Sequence, residues 1–212
     1  MAGLELASLV STTNGYVLGD EKNGKRIAVL DYGIKNNILN CMLERSAFVK
    51  VFNAKATFEE LQEFNPDGYF ISNGPGDPAP MDYAIKTIRK ILEAKKPLFG
   101  ICLGQQLLAL ANDVPTFKMH HGHRGLNHPV KNIITGKCEI TTQNHGFGVD
   151  AEAIKNNENI EITHINLNDS SIEGIRLKDR PAFSVQYHPE ATPGPHDSRY
   201  LFDQFFGMIN EG

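Results

Sequence analysis

The sequence predicts one α/β domain with a mainly parallel sheet and helices on both faces of that sheet. Short apolar segments that suit buried strands alternate with amphipathic segments that suit helices, which is the pattern of consecutive βαβ units. The chain has 212 residues, of which 41% are hydrophobic and 22% charged. That length and composition are typical of one well-filled domain.

The first half of the chain contains most of these units. Residues 1–24 are interpreted as a lead-in or linker, and the domain itself as residues 25–212. Thr57 and Glu60 have the spacing of a capping box, which predicts a short helix that ends before Pro66. The other predicted elements here are strands at 26–31, 48–52, 69–72 and 97–101 and helices at 35–45, 82–94 and 104–112.

The second half is less regular. Residues 114–150 are rich in Thr, Gly and His, and we expect short strands and loops there. A further strand is predicted over 181–187 and a closing helix over 197–209. No internal repeat or low-complexity tract interrupts the pattern, which favours a single domain.

Charge and cysteine content argue against several classes of protein. A formal charge of −4 without a long basic run argues against nucleic acid as the main partner. No segment approaches the roughly 20 apolar residues of a membrane span, and the N-terminus lacks the features of a secretory signal. The three cysteines, Cys41, Cys102 and Cys138, are widely spaced and form no disulfide framework. We therefore expect a cytoplasmic protein with one thiol free for chemistry.

The most informative segment is Gly100-Ile101-Cys102-Leu103-Gly104, which has the form of a nucleophile elbow with cysteine in place of serine. A tight strand-to-helix turn would place Cys102 at a helix N-terminus, where the first amides favour a thiolate. The amide of Leu103 would point to where an oxyanion forms. From these five residues alone, a cysteine that only packs at a strand end is an equal alternative.

Two further segments favour the catalytic interpretation. A thiolate mechanism needs a general base and a group that orients it, and His188 and Glu190 supply both directly after a predicted strand. The loop 73–78, Asn-Gly-Pro-Gly-Asp-Pro, also follows a strand, and its glycines offer backbone amides to a ligand. An ordinary turn is the alternative for this loop, but its place one βα unit before the elbow suits the second half of an oxyanion hole.

Together these three segments resemble the class I (triad) glutamine amidotransferases, which have a flavodoxin-like fold. Within that class, the segments 122–130, 143–147 and 193–197 are similar to the small (glutaminase) subunits of carbamoyl phosphate synthetases. The resemblance extends over about residues 5–206. Because several separated motifs occur in the right order, it is far more specific than any single motif.

The resemblance implies a glutamine amidohydrolase. Cys102 would attack the side-chain amide of glutamine, His188 would transfer the proton and Glu190 would orient His188. Ammonia would leave, and water would hydrolyse the remaining γ-glutamyl thioester. The amides of Leu103 and Gly74 would hold the oxyanion. The residues that the resemblance assigns to substrate binding are Gly74, Gly76, Leu103, Gln106, Asn144, Gly146 and Phe147.

The resemblance also implies a partner, a large ATP-dependent carbamoyl phosphate synthetase subunit that receives the ammonia for pyrimidine and arginine biosynthesis. ATP, bicarbonate and Mg²⁺ would belong to that partner, and no cofactor is expected on this chain. Gln105 stands where the family often has histidine, a change that we expect to tune activity. In the family, a further domain precedes this one in the small subunit and contributes a serine to glutamine binding. We therefore expect a stand-alone relative or a trimmed domain with weak affinity for glutamine.

Several alternatives remain. Other triad amidotransferases, serving GMP, anthranilate or CTP synthesis, and γ-glutamyl hydrolases share the elbow and the triad. A catalytically silent scaffold that regulates a synthetase is an alternative from another class. The histidines at 120, 121, 123 and 128 fit no closed zinc pattern, so no metal site is expected. Cys41 and Cys138 are interpreted as packing residues.

Overall fold

A ten-stranded sheet runs through the computed structural model, which describes residues 2–211. The strands are β1 (Tyr16–Leu18), β2 (Lys25–Leu30), β3 (Ala47–Phe52), β4 (Gly68–Ile71), β5 (Leu98–Ile101), β6 (Thr116–Asn132), β7 (Cys138–Val149), β8 (Ile160–Asn166), β9 (Ile172–Leu177) and β10 (Ala182–Val185). The helices are α1 (Ala7–Val10), α2 (Asn36–Leu43), α3 (Phe58–Glu63), α4 (Asp82–Glu93), α5 (Leu103–Ala111), α6 (Ala151–Lys155) and α7 (Tyr200–Glu211).

The spatial order of the strands is β1-β3-β2-β4-β5-β10-β9-β8-β6-β7. The run from β3 to β10 is parallel throughout. β1 joins one edge of this parallel core antiparallel, and β9, β8, β6 and β7 extend the other edge antiparallel. The predicted α/β class is confirmed, and the antiparallel extension is a feature that the sequence pattern does not indicate.

Helices cover both faces of the parallel core because its strands are apolar on both sides. In β2, Ile27 and Val29 point into one apolar cluster with residues of α2 and α7. Ala28 and Leu30 point into a second cluster with residues of α3, α4 and α5. Two separate clusters, one on each face, are the direct sign of a doubly covered sheet.

The predicted helices form where the sequence places their signals. The Thr57 amide donates to Glu60 Oε2 at 2.6 Å, and the Glu60 amide donates to Thr57 Oγ1 at 3.3 Å, so the predicted capping box is confirmed at the start of α3. In α4, the buried residues are Ala84, Thr87, Ile88, Ile91 and Leu92. Their spacing of three and four residues gives the helix one apolar face.

The prediction of short strands and loops over 114–150 is wrong. β6 has 17 residues and β7 has 12, and they pair as one long antiparallel hairpin. The register shifts between Lys118 and His123 and again between Gly125 and His128. Each shift interrupts the two-residue alternation by which a strand is recognised in sequence. β8 and β9 are likewise additional to the predicted strands.

The lead-in packs against the rest of the molecule. Ala7 in α1 is buried, and β1 pairs with β3 through Tyr16 opposite Val51 and Leu18 opposite Val49. The Asp77 amide donates to the Leu4 carbonyl, so the lead-in also contacts the loop 73–78. The boundary at residue 25 stays a prediction. None of the helices within residues 2–211 has the length and apolar character needed to cross a membrane.

Candidate active site

Cys102 lies at the turn between β5 and α5, with φ 55° and ψ −100°. Its amide donates to the Val185 carbonyl at 2.8 Å, which continues the pairing of β5 with β10 by one residue. A Cβ added at Gly104 would lie 2.4 Å from the Ile71 carbonyl oxygen. The elbow therefore needs glycine there, because the start of α5 packs directly on the end of β4.

His188 and Glu190 follow β10, the parallel neighbour of β5. Because Val185 is paired with Ile101, the carboxyl ends of these two strands meet at the same edge of the sheet. His188 Nδ1 lies 2.8 Å from Glu190 Oε1. The His188 amide donates to the Thr142 carbonyl at 2.9 Å, which anchors the segment to β7. The structure thus brings Cys102, His188 and Glu190 together as the sequence predicts.

The charges of this group favour an imidazolium beside a carboxylate. Burial alone lowers the pKa of His188, but the interactions of its ring with Cys102 and Glu190 outweigh burial and raise that pKa above its ordinary value. Burial alone raises the pKa of Glu190, but its hydrogen bond to His188 and the nearby Lys35 ammonium hold that pKa below the ordinary value. His188 is therefore stabilised in the form that can donate a proton.

Lys35 is a site residue that the sequence reasoning missed. It occupies the N-cap position of α2, and its Nζ lies 3.5 Å from Glu190 Oε1 and 3.3 Å from His188 Nδ1. Two residues later, the Asn37 side-chain amide donates to the Glu190 carbonyl oxygen and to Thr192 Oγ1. The available signal was its position just after β2, another strand of the parallel core whose carboxyl end lies at this edge.

The loop 73–78 lies against both the elbow and the end of β2. A Cβ added at Gly74 would lie 2.2 Å from the Tyr32 carbonyl oxygen and 2.8 Å from Leu103 Cδ2. Gly74 and Leu103, the two predicted oxyanion residues, are therefore in close contact. The Asn73 side chain fixes the loop by donating to the Gly33 carbonyl at 3.0 Å and accepting from the Lys35 amide.

A cavity of about 240 Å³ opens beside Cys102. Glu190 and Leu103 are not among the lining residues. Glu190 is buried and contacts His188, and Leu103, the residue that follows Cys102, is also buried. Arg124 and Lys35 add positive charge to the wall and were not predicted. The lining residues are Lys35, Asn73, Gly74, Pro75, Gly76, Cys102, Gln106, Arg124, Asn144, His145, Gly146, Phe147 and His188.

Six of the seven predicted substrate-binding residues line this cavity, namely Gly74, Gly76, Gln106, Asn144, Gly146 and Phe147. The seventh, Leu103, is buried and is not among the lining residues. The Gln106 side-chain amide donates to the Phe147 carbonyl at 3.1 Å and so joins α5 to β7 across the cavity. Gln105 is fully buried, and its side chain donates instead to the Ile172 carbonyl. The roles assigned to all of these residues stay predictions.

The remaining cysteines and histidines differ in their environments. Cys41 is buried, as a packing residue should be, but Cys138 is exposed, so its interpretation as a packing residue is wrong. Cys138 is the first residue of β7, and its side chain is exposed to solvent. His120 and His121 are exposed. Within the described residues, the potential metal ligands that come together are His123, His145 and Glu173, whose donor atoms lie within 4.8 Å of one another.

Comparison with known proteins shows the family to which the chain belongs. The family model for class-I glutamine amidotransferases matches residues 28–208. The carbamoyl phosphate synthase small chain of Zymomonas mobilis is 49% identical over 99% of this chain and 59% of its own length. The corresponding small chain of Chlorobaculum tepidum is also 49% identical, over 99% of this chain and 57% of its own length. The chain thus spans less than two thirds of these curated relatives.

Solved structures show the same fold. A putative GMP synthase subunit from Thermoplasma acidophilum superposes with a TM-score of 0.76 at 22% identity, covering 89% of this chain and 96% of the other. A glutamine amidotransferase from Thermotoga maritima superposes with a TM-score of 0.63 at 16% identity, covering 78% and 76%. At such identities the likeness concerns the fold alone. From the family model and the nucleophile elbow, the chain belongs to the class I glutamine amidotransferase family.

Proposed function

We propose that this chain hydrolyses glutamine and supplies the ammonia for carbamoyl phosphate synthesis. The observation that carries the proposal is the meeting of Cys102, His188 and Glu190 at the carboxyl ends of β5 and β10, beside a cavity of about 240 Å³. Relatives about half identical to this chain are named carbamoyl phosphate synthase small chains, which favours that product over those of other amidotransferases.

The reaction begins with attack of the Cys102 sulfur on the side-chain carbonyl carbon of glutamine. The oxyanion lies against the amides of Leu103 and Gly74. The His188 imidazolium donates its proton to the amide nitrogen, the carbon–nitrogen bond breaks, and ammonia leaves a γ-glutamyl thioester on Cys102. Neutral His188 then takes a proton from water, which attacks the thioester carbon. Glutamate leaves, and the thiolate and the imidazolium are restored.

Glu190 and Lys35 support this cycle without reacting themselves. Glu190 accepts a hydrogen bond from the Nδ1–H of His188 and so leaves the other ring nitrogen, Nε2, for proton transfer. The Lys35 ammonium helps to keep Glu190 ionised in a nearly dry environment. We assign Gly76, Gln106, Asn144, Gly146 and Phe147 to the amino-acid end of the substrate. Arg124, whose Nη2 lies 3.8 Å from the position of a Cβ added at Gly146, gives that end of the cavity a positive charge that suits a carboxylate.

The partner in this proposal is a large ATP-dependent carbamoyl phosphate synthetase subunit, on which ATP, bicarbonate and Mg²⁺ act. A cytoplasmic location fits such a biosynthetic role and stays a prediction. Another triad amidotransferase or a γ-glutamyl hydrolase is the alternative for the reaction, since the site itself is common to all of them. A silent scaffold is disfavoured because the chain retains the cysteine, the histidine and the carboxylate in contact.

The first test is covalent labelling by a chloroketone analogue of glutamine, measured by intact mass. We expect one adduct on the wild type, suppressed by excess glutamine and lost in Cys102→Ser. Cys138→Ser is the matched control, because Cys138 is the exposed thiol and is expected to be dispensable. An adduct that persists in Cys102→Ser, or one that glutamine does not suppress, contradicts the assignment of the nucleophile and the substrate.

A second test concerns the product. A purified carbamoyl phosphate synthase large chain is supplied with ATP, bicarbonate and either ammonium or glutamine, with and without this chain. We expect glutamine to support carbamoyl phosphate formation only when the wild-type chain is present and not with Cys102→Ser. If ammonium works but glutamine does not, while the chain alone still releases ammonia, the partner is wrong and the glutaminase assignment stands.

A further inference from the structure

A buried charged cluster lies next to the catalytic group but takes no part in the proposed chemistry. Glu173 in β9 is fully buried, and its Oε1 lies 3.2 Å from His123 Nδ1 in β6. On the other side of the same ring, His123 Nε2 lies 2.8 Å from Asp169 Oδ2 in the turn between β8 and β9. The imidazole of His123 is therefore held between two carboxylates.

A carboxylate without solvent needs a nearby positive charge, because burial removes the water that would otherwise stabilise its charge. The second oxygen of Glu173, Oε2, has no hydrogen-bond partner among residues 2–211, which increases this need. The contact with Glu173 raises the pKa of His123 to about 9, in spite of burial and with help from Asp169. His123 is therefore a cation at neutral pH and balances the buried charge of Glu173.

The cluster reaches the cavity through β7. Gln143 Oε1 lies 2.9 Å from His123 Nδ1 and 2.7 Å from His145 Nε2, so the Gln143 amide bridges the two rings. His145 Nδ1 in turn lies 3.0 Å from the Phe147 carbonyl oxygen. His145 and Phe147 both line the cavity. Neutral His145 carries one ring proton, so it donates to either Gln143 or the Phe147 carbonyl, and the other contact is van der Waals. The contacts thus run from the ion pair through Gln143 to His145, which belongs to the segment 144–147.

The backbone pairing around this segment is irregular. The paired residues His123 to Gly125 are flanked on both sides by register shifts, so the ladder between β6 and β7 is interrupted twice near the cavity. An interrupted ladder leaves backbone groups without their regular partners and lets the strand bend. Side-chain contacts through Gln143 and His145 therefore add to the backbone pairing in holding residues 144–147.

We propose that the His123–Glu173 ion pair is a positioning unit that holds residues 144–147 in the geometry needed to bind the amino-acid end of glutamine. The inference rests on the proposed function and adds the residues that set its affinity for substrate. His123 and Glu173 act through Gln143 and His145 and do not touch the reacting atoms. Their loss is expected to weaken glutamine binding and to leave the chemistry at Cys102 intact.

A metal ion is the other use for such a cluster, since the donor atoms of His123, His145 and Glu173 lie within 4.8 Å. The observed contacts favour the ion pair. Both ring nitrogens of His123 face carboxylates, and a doubly protonated ring cannot bind a metal. Burial lowers the pKa of His145 to about 4, but its ring nitrogens already contact Gln143 and Phe147.

The test compares Glu173→Gln, His123→Gln and the double variant in the saturation kinetics of chloroketone labelling and in glutamine hydrolysis. We expect each single variant to raise the KM for glutamine and the half-saturating chloroketone concentration about tenfold, the equivalent of one charge-assisted hydrogen bond. The turnover number and the maximal labelling rate should stay within about twofold. The double variant should recover part of the affinity, because it leaves no unpaired buried charge.

Controls keep this outcome distinct from a folding defect. His120→Gln changes an exposed histidine of the same strand, and Glu161→Gln changes a carboxylate of neighbouring β8, and both should leave KM unchanged. Asp169→Asn is a milder probe, because Asp169 is partly exposed and still contacts His123, and it should raise KM by a smaller factor. If the variants at the buried positions do not fold, Asp169→Asn still tests the proposal.

Three results would overturn the proposal. The first is an unchanged KM in Asp169→Asn and in whichever buried single variants fold. The second is a loss of turnover number or maximal labelling rate at constant KM. The third is one equivalent of Zn²⁺ that the wild type retains through gel filtration and Glu173→Gln does not. By contrast, failure of glutamine to protect wild-type Cys102 would remove the proposed function itself.

Discussion

At the scale of single residues, Cys102 has a backbone conformation that residues with a Cβ rarely adopt. Such a conformation costs about 1–3 kcal/mol and persists only where the surroundings enforce it. Here the amide of Cys102 is bound by the Val185 carbonyl, and its own carbonyl accepts from the Gln105 and Gln106 amides. The turn of α5 and the adjacent strand β10 therefore hold the sulfur beside the cavity.

Replacement of Lys35 tests the electrostatic support of Glu190. In Lys35→Met the carboxylate loses a cation at 3.5 Å, so its pKa should rise. Glu190 must be ionised to orient His188. On acidification, the variant should therefore lose activity at a higher pH than the wild type does. We expect kcat/KM for glutamine to fall by about tenfold near neutral pH, and the acidic limb of the pH profile to move upward. Lys86→Met, at an exposed position of α4, should change neither.

His164 is expected to make the fold sensitive to acid. Burial lowers its pKa to about 4, whereas an unfolded histidine has a pKa of about 6.5. The folded pKa is depressed, so the unfolded chain binds the proton first. The contribution of neutral His164 to the free energy of unfolding is therefore fully present above about pH 6.5 and is lost as pH falls towards 4. From pH 7 to 4.5 this group should cost about 2 kcal/mol of unfolding free energy.

Urea unfolding at the two pH values measures this effect. The wild type should lose more stability between pH 7 and 4.5 than His164→Asn does, with the difference reporting His164 alone. His145, with a similarly lowered pKa, contributes equally to both proteins and cancels in the comparison. Equal losses in wild type and variant would show that His164 is not buried in its neutral form.

At the scale of elements, the elbow depends on the close approach of α5 to β4. Gly104→Ala would place a Cβ 2.4 Å from the Ile71 carbonyl oxygen, so strand and helix must separate. We expect a loss of about 3 kcal/mol in unfolding free energy, typical of overpacking, and loss of glutaminase activity. In α7 the same substitution meets open space, because a Cβ at Gly207 has no atom within 4 Å among the described residues.

Gly207→Ala is therefore the matched control. A glycine inside a helix is destabilising by about 0.5–1 kcal/mol relative to alanine, so this variant should be slightly more stable than the wild type and fully active. Thermal unfolding of both variants, with glutamine hydrolysis, measures the difference. Normal stability and activity in Gly104→Ala would mean that the approach of α5 to β4 is not as tight as the distances indicate.

At the scale of the whole molecule, β10 connects two differently built parts of the sheet. It pairs parallel with β5 on one side and antiparallel with β9 on the other. Phe183 of β10 stacks on Phe99 of β5 with their ring centroids 4.4 Å apart, so the junction is also packed. His188 and Glu190 follow β10 directly, and the site therefore needs both parts of the sheet in place.

The continuous sheet predicts one cooperative unfolding transition. Ile175→Ala in β9 removes a fully buried side chain and should lower the unfolding free energy by about 3 kcal/mol. Amide hydrogen exchange should show the same decrease in β2, at the far side of the sheet, as in β9. Ile133→Ala, at an exposed isoleucine, should change it by less than about 0.5 kcal/mol. A decrease confined to β8 and β9 would show that the antiparallel extension unfolds separately.

The sequence by itself determined the parallel core, the capping box of α3 and the three segments that meet at the site. These features have local causes, since strand alternation, capping and the glycines of the elbow are properties of consecutive residues. Residues 2–24 differ, because the sequence pattern of their short helix and strand is weak. β1 forms because it pairs with β3, which is distant in sequence.

Only the tertiary structure decided the long β6–β7 hairpin, the place of Lys35 beside Glu190 and the pairing of His123 with Glu173. The register shifts of the hairpin hide its alternation, so its pairing depends on neighbours in the sheet. Lys35 is 155 positions before Glu190, and His123 is 50 before Glu173. Lys35 meets Glu190 because the carboxyl ends of β2 and β10 lie at the same edge of the sheet. His123, in the middle of β6, meets Glu173, near the start of β9, because β6, β8 and β9 lie side by side in the sheet. No local pattern of residues encodes a charge pair formed in this way.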